Sequence, residues 1–149
     1  MTLQERILSD LQQAQKKGDK ARISVLRLVK SGIGYAEIAK KAVLDDAGVI
    51  DVINKEVKQR RESIDGYTKG NRKDLVEKEQ AELAILLEYL PKQMGRDDIV
   101  AIVRKVFGEV GAKGPGDKGK VMSKLMPQVK GKADGREVGA IVDELLAFL

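Results

Sequence analysis

The sequence lacks two residue types that dominate enzyme chemistry, since none of its 149 residues is cysteine or histidine. Without cysteine there can be no disulfide bond, no thiolate zinc site and no thiol nucleophile. Without histidine the chain lacks the most common general base and the most common metal ligand. We therefore predict no catalytic residue, no bound cofactor and no metal site.

Aromatic residues are also scarce, because the chain has three tyrosines, two phenylalanines and no tryptophan. A folded chain of this length buries about 68–70% of its unfolded surface, so a core can form. That core must be built from leucine, isoleucine, valine and methionine.

Long apolar runs are absent as well. Runs such as Ile99–Val103 and Leu145–Leu149 extend over only five residues, whereas a membrane-spanning helix needs about twenty. The first residues are amphipathic and include acidic side chains, unlike a secretory signal. The sequence predicts a soluble cytoplasmic protein with no membrane partner.

Apolar residues recur at helical spacing along the whole chain, and no segment alternates with the period of a strand. The pattern predicts an all-α fold with four longer helices followed by three shorter ones. We expect an N-terminal helical bundle over residues 1–93 and a small three-helix module over residues 94–149. Polar residues that can cap or open helices precede the apolar runs. They are Thr2, Asp19, Asp45, Asn71, Asp97, Asp117 and Asp134.

The segment GPGDKGKV, residues 114–121, has the spacing of a phosphate-binding P-loop up to its last position, where Val121 replaces the required hydroxyl. A P-loop follows a strand, but Ile99–Val110 has helical spacing. Asp117 stands at a helix N-cap, where its carboxylate would occupy the N–H groups that a phosphate needs. We interpret the segment as a loop followed by a capped helix, and predict no nucleotide binding.

The net charge of +5 is concentrated in one segment. Residues 113–136 contain seven basic and two acidic side chains, whereas the other 125 residues contain 21 of each. Such a segment can bind an RNA backbone or can simply be a solvated surface. The seven candidate RNA-binding residues are Lys113, Lys118, Lys120, Lys124, Lys130, Lys132 and Arg136.

Three other groups of residues have a structural interpretation. The pair Glu79/Glu82 is expected on a helix surface, where it aids solubility or capping. Arg60 and Arg61 are expected to form ion pairs with acidic neighbours four residues away. Met122 and Met126 are expected to fill the core.

Three motifs resemble those of the YqeY family. They are EVKQRRES (56–63), AELAILLEYLPKQ (81–93) and DKGKVMSKLMPQVKGKADG (117–135). The resemblance covers nearly the whole chain and implies an all-α fold with an N-terminal bundle and a C-terminal three-helix module. That family shares a unit with the tail of the B subunit of glutamine-dependent tRNA amidotransferase, where the tail helps to hold tRNA.

Two functions remain open at this stage. The first is a non-catalytic module that binds tRNA or another structured RNA. The second is an adaptor that docks on an amidotransferase or another translation enzyme. Independent carbon–nitrogen ligase activity with glutamine as amide donor would follow only from the shared tail, and the chain has no cysteine or histidine to release ammonia. Because residues 113–136 contain no aromatic ring, RNA recognition there should depend on phosphates and shape.

Overall fold

The computed structural model describes residues 1–149 and contains seven α-helices, one 3₁₀ helix and no strand. The predicted all-α class is therefore confirmed. The helices are α1 (Leu3–Lys17), α2 (Lys20–Lys40), α3 (Asp46–Lys69), α4 (Lys73–Leu87), α5 (Arg96–Val110), α6 (Lys118–Val129) and α7 (Gly135–Leu146), and the 3₁₀ helix is Pro115–Asp117.

The chain divides into two compact units, Met1–Leu90 and Pro91–Leu149. In the first unit α3 packs along α4, and α1 packs against α2. The core between these helices is almost entirely aliphatic. It contains Ile7, Leu11, Val25, Leu26, Val29, Ile33, Leu44, Val49, Ile53, Val57, Ile85, Leu86 and Tyr89.

The second unit has a core of its own, formed where α5, α6 and α7 pack pairwise against one another. Met122 and Met126 lie partly buried against this core, as the sequence predicted. The buried residues are Ile99, Val103, Val106, Phe107, Val121, Leu125, Val129, Val138, Ile141, Val142 and Leu146.

Most helix starts follow the sequence prediction, but the start of α4 does not. The side chains of Thr2, Asp19 and Asp45 accept hydrogen bonds from backbone N–H groups in the first turns of α1, α2 and α3. Asn71, the predicted cap of α4, instead has a left-handed φ of 60°. Asparagine tolerates this conformation, which turns the chain after α3. Arg72 occupies the N-cap position without a capping side-chain hydrogen bond.

Gly32 allows α2 to approach α3 closely. A Cβ atom at this position would lie 2.8 Å from Cγ1 of Val52 on α3, whereas a Cβ at Gly34 would meet nothing within 4 Å. The two glycines of α2 therefore differ in role, and only Gly32 is required by packing.

Candidate nucleic-acid interface

All seven candidate RNA-binding residues lie in the second unit, and their side chains are exposed. Lys113 lies in the loop after α5, and three of the lysines lie on α6. Lys130 and Lys132 lie in the turn between α6 and α7, and Arg136 is in the first turn of α7. The basic segment thus follows α6 and the two connections at its ends.

Two of the α6 lysines, Lys118 and Lys124, form ion pairs with different neighbouring helices. The Nζ atom of Lys118 lies 2.9 Å from the carboxylate of Asp143 on α7. The Nζ atom of Lys124 lies 2.8 Å from the carboxylate of Glu109 on α5. This pair holds the pKa of Glu109 below its usual value, through the hydrogen bond from Lys124 and its positive charge. Lys120 forms neither of these interhelical pairs, so the three lysines do not form one uniform row.

The carboxylate of Asp117 does not cap α6, and here the sequence interpretation is wrong. It accepts hydrogen bonds from the backbone nitrogens of Lys113, at 2.7 Å, and Gly114, at 3.3 Å. Asp117 ends the 3₁₀ helix, so its side chain reaches back into the preceding loop. These hydrogen bonds lower its pKa, and the charges of Lys120 and Lys113 lower it further.

This arrangement gives a different physical reason against a P-loop. Two N–H groups at the start of the loop, those of Lys113 and Gly114, already donate to an internal carboxylate. A phosphate there would have to displace Asp117 and would meet its negative charge.

Carboxylates from neighbouring helices reduce the local positive charge. Glu109 and Asp143 lie outside residues 113–136, but each is paired with one of the seven basic residues. The whole unit Pro91–Leu149 has 11 basic and 8 acidic residues, a net charge of +3. Exposed pairs of this kind exchange readily with solvent or ligand, because they contribute little to stability.

A second charged cluster, in the first unit, was misread from the sequence. Glu79 and Glu82 do not lie on an open surface but pack around the buried guanidinium of Arg60. The Arg60 Nε atom lies 3.1 Å from Glu82 and 3.5 Å from Glu79, and the predicted i,i+4 partner Glu56 is also 3.5 Å from its Nη1. This cluster joins α3 to α4 and has a structural role.

No group of three or more Asp, Glu, His or Cys side chains in residues 1–149 is arranged to hold a metal ion. None of the helices is both long and apolar enough to cross a membrane.

Comparison with known proteins identifies the family. Residues 4–146 match the sequence model of a family described as Yqey-like protein. This chain belongs to the YqeY family. The match includes the whole basic segment and all seven helices except Leu3, the first residue of α1.

Relatives of this YqeY-family chain occur in fungi. It is 29% identical over 144 residues to Altered inheritance of mitochondria protein 41, mitochondrial, of Pyrenophora tritici-repentis, covering 95% of this chain and 79% of the relative. It is 35% identical over 129 residues to the protein of the same name in Kluyveromyces lactis, covering 84% and 65%. It is 34% identical over 90 residues to an uncharacterized protein of Schizosaccharomyces pombe, covering 60% and 73%.

Proposed function

We propose that this YqeY-family protein is a non-catalytic module that binds tRNA or another structured RNA through its second unit. The observation that carries the proposal is the exposure of all seven basic side chains within 24 consecutive residues. Phosphate contacts by lysine and arginine supply most of the sequence-independent affinity for nucleic acid. The resemblance to a tRNA-holding tail supports the same reading.

The form of the surface favours contacts with the RNA backbone over contacts with bases. Residues 113–136 contain no aromatic side chain on which a base could stack. The basic residues lie on a helix and on both connections at its ends, so they can contact several phosphates of a folded RNA. Recognition would then depend on shape and phosphate spacing, as is common for structured RNA.

The names of the relatives bear on location. Two of the three relatives described above have the word mitochondrial in their names. We propose a mitochondrial location for the present chain as well, in place of the cytoplasmic location expected from sequence. Its RNA partner would then be a tRNA of the mitochondrion.

A salt-dependent titration with tRNA tests the proposal. Each neutralised phosphate contributes a slope of about −0.7 to −0.9 to the plot of log affinity against log salt, so four contacts predict about −3. Replacing Lys118, Lys120 and Lys124 together by Gln should weaken binding at least ten-fold and reduce the slope to about −1. Fluorescence anisotropy with labelled tRNA measures both quantities.

The matched control removes three exposed lysines from the first unit, with Lys55, Lys58 and Lys73 replaced by Gln. This variant loses the same charge but should bind tRNA within about three-fold of the parent. If the second unit is the binding surface, the loss of affinity depends on where the charge is removed. Equal losses in both variants, or an affinity that ignores salt, would contradict the proposal.

A second candidate function, the adaptor, is favoured by a different observation. The first unit exposes large apolar side chains on α2, among them Tyr35 and Ile38, which are each 76% exposed. Exposed apolar residues that cluster on one face are typical of protein-interaction sites.

A further inference from the structure

The outer face of α2 presents a continuous stripe of exposed side chains. Leu28 is 47% exposed, and Tyr35 and Ile38 follow it at intervals of seven and three residues. These intervals place the three side chains on one side of the helix. The same face also includes Lys20, Ser24, Arg27 and Ser31.

A cleft of about 560 Å³ lies between α2 and α3, beside this stripe. Its lining includes small residues, Gly32, Ala36 and Gly48, and the ring of Tyr35. A Cβ atom at Gly32 or Gly48 would meet Val52 or Leu44, so these glycines leave no room for an inserted side chain, and the exposed ring of Tyr35 supplies the apolar contact area. Together the stripe and the cleft form a shallow groove, which we call the α2 groove.

The border of the α2 groove has an excess of basic side chains. Lys20, Arg27, Lys40 and Lys55 are exposed and form no ion pair. The exposed carboxylate of Asp51 also lines the cleft and offsets one of these charges, whereas two other acidic groups nearby have partners within the first unit. Glu56 pairs with Arg60, and the carboxylate of Glu37 accepts a hydrogen bond from the backbone nitrogen of Leu44.

We propose that the α2 groove binds an amphipathic helix with acidic flanks from another protein. The distance from Lys20 to Ile38 along α2 is about 27 Å at 1.5 Å per residue, which matches a partner helix of about 18 residues. Apolar residues on one face of that helix would pack on Leu28, Tyr35 and Ile38, and its acidic flanks would meet the basic border. This inference rests on the adaptor function proposed above and is independent of the proposed RNA function, because it concerns the other unit.

Other occupants fit the groove less well. A second copy docked through the same face would bring the basic borders of both copies together, which opposes association. An RNA backbone would gain nothing from the apolar side chains of Leu28, Tyr35 and Ile38.

Site-specific crosslinking in the source cell tests the proposal on the full chain. The photoreactive residue p-benzoylphenylalanine replaces Tyr35 in one variant, Ile38 in a second and the exposed Gln80 of α4 in a control. The expected result is one partner protein captured at positions 35 and 38 but not at 80, with the crosslinked peptide acidic and amphipathic. Mass spectrometry of the adduct identifies the peptide.

A synthetic peptide with the captured sequence then gives the affinity. The double substitution Tyr35→Ala/Ile38→Ala should weaken binding at least ten-fold, and Lys40→Glu/Lys55→Glu about ten-fold. The control Lys73→Glu/Lys78→Glu, on α4, should leave the affinity unchanged. Because all these side chains are exposed, circular dichroism melts should match the parent.

Several results would overturn the inference. They are adducts to this chain itself, to RNA or to lipid, adducts no stronger at 35 and 38 than at 80, and a captured peptide that is basic or insensitive to the groove substitutions.

Discussion

At the scale of single residues, Arg60 is expected to have a large effect on stability. Its side chain is 11% exposed and is surrounded by the carboxylates of Glu56, Glu79 and Glu82. The Nε atom of Arg60 and one oxygen of Glu79 are buried without a well-aligned hydrogen bond, so the cluster is held mainly by charge. Removing the arginine from a buried ion cluster is costly, because the remaining carboxylates then lack a partner of opposite charge.

We expect Arg60→Met to lower the free energy of unfolding by about 3–5 kcal/mol, because three carboxylates would remain around an apolar side chain. Urea denaturation measures the loss. Arg72→Met is the matched control, since Arg72 pairs with Asp74 at an exposed site and its removal should barely move the midpoint. Equal midpoints for the two variants would show that the buried cluster does not stabilise the first unit.

The two glycines of α2 provide a second comparison. Gly34→Ala should stabilise the protein by about 0.5–1 kcal/mol, since alanine favours helix and nothing lies within 4 Å of the new Cβ. Gly32→Ala should instead destabilise it by about 1 kcal/mol, because the new Cβ would meet the stiff side chain of Val52 at 2.8 Å. Thermal or urea unfolding compares them.

A second-site substitution checks the cause assigned to Gly32. Val52→Ala removes the clashing methyl group, so the Gly32→Ala/Val52→Ala protein should lose less stability than the two single losses predict when added. If the stability losses of the two single variants simply add in the double variant, α2 and α3 do not contact each other at Gly32 and Val52.

At the scale of elements, the loop between α5 and α6 depends on one carboxylate. Because hydrogen bonds from Lys113 and Gly114 lower the pKa of Asp117, its ionised form is favoured in the folded state. The loop should therefore stay ordered above the ordinary aspartate pKa and loosen as the pH falls through the lowered value.

Carbon-detected NMR titration should show Asp117 titrating below an ordinary aspartate. Hydrogen exchange at the amides of Lys113 and Gly114 should accelerate at acid pH beyond its intrinsic pH dependence. In Asp117→Ala the same amides should be unprotected at every pH. A normal Asp117 pKa, or protected amides in the alanine variant, would show that the loop is ordered by something else.

The helices could be predicted from sequence because their apolar spacing and most of their caps are local signals. Asp19 and Asp45 cap helices as expected, since each cap depends on residues three positions away. The predicted helix caps at Asn71 and Asp117 were wrong because asparagine and aspartate side chains also stabilise turns. Whether such a side chain caps a helix or a turn depends on the path of the backbone around it.

The basic residues of the candidate site could be predicted from the sequence, but their ion-pair partners could not. The exposure of Lys118 and Lys124 follows from their helical positions, whereas their partners Asp143 and Glu109 belong to other helices. The burial of Glu79 and Glu82 likewise depends on how α3 packs along α4. Interactions of this kind arise from tertiary packing and leave no local pattern in the sequence.

At the scale of the whole molecule, we expect the two compact units to fold independently. Each has its own buried core, and the segment after Leu90 begins with Pro91 and a polar stretch. A fragment of residues 1–90 and one of residues 91–149 should each give the NMR spectrum that they show in the full chain. The smaller fragment should be the less stable one, because a short chain buries a smaller share of its surface.

Limited proteolysis gives an independent check on this division. The first cuts should fall at residues 92–96 or in the loop over residues 111–118, before any cut inside the first bundle. An earliest stable fragment that ends within residues 45–90 would be incompatible with two independent units.

The placement of the aromatic side chains affects how unfolding can be observed. All three tyrosines belong to the first unit, and the buried Tyr89 donates its phenolic hydrogen to the carboxylate of Asp10. The second unit has only phenylalanines, Phe107 and Phe148. Absorbance near 280 nm and tyrosine emission therefore report the first unit alone, while far-ultraviolet ellipticity reports the helices of both. The two optical signals will trace one curve only if both units unfold in the same transition.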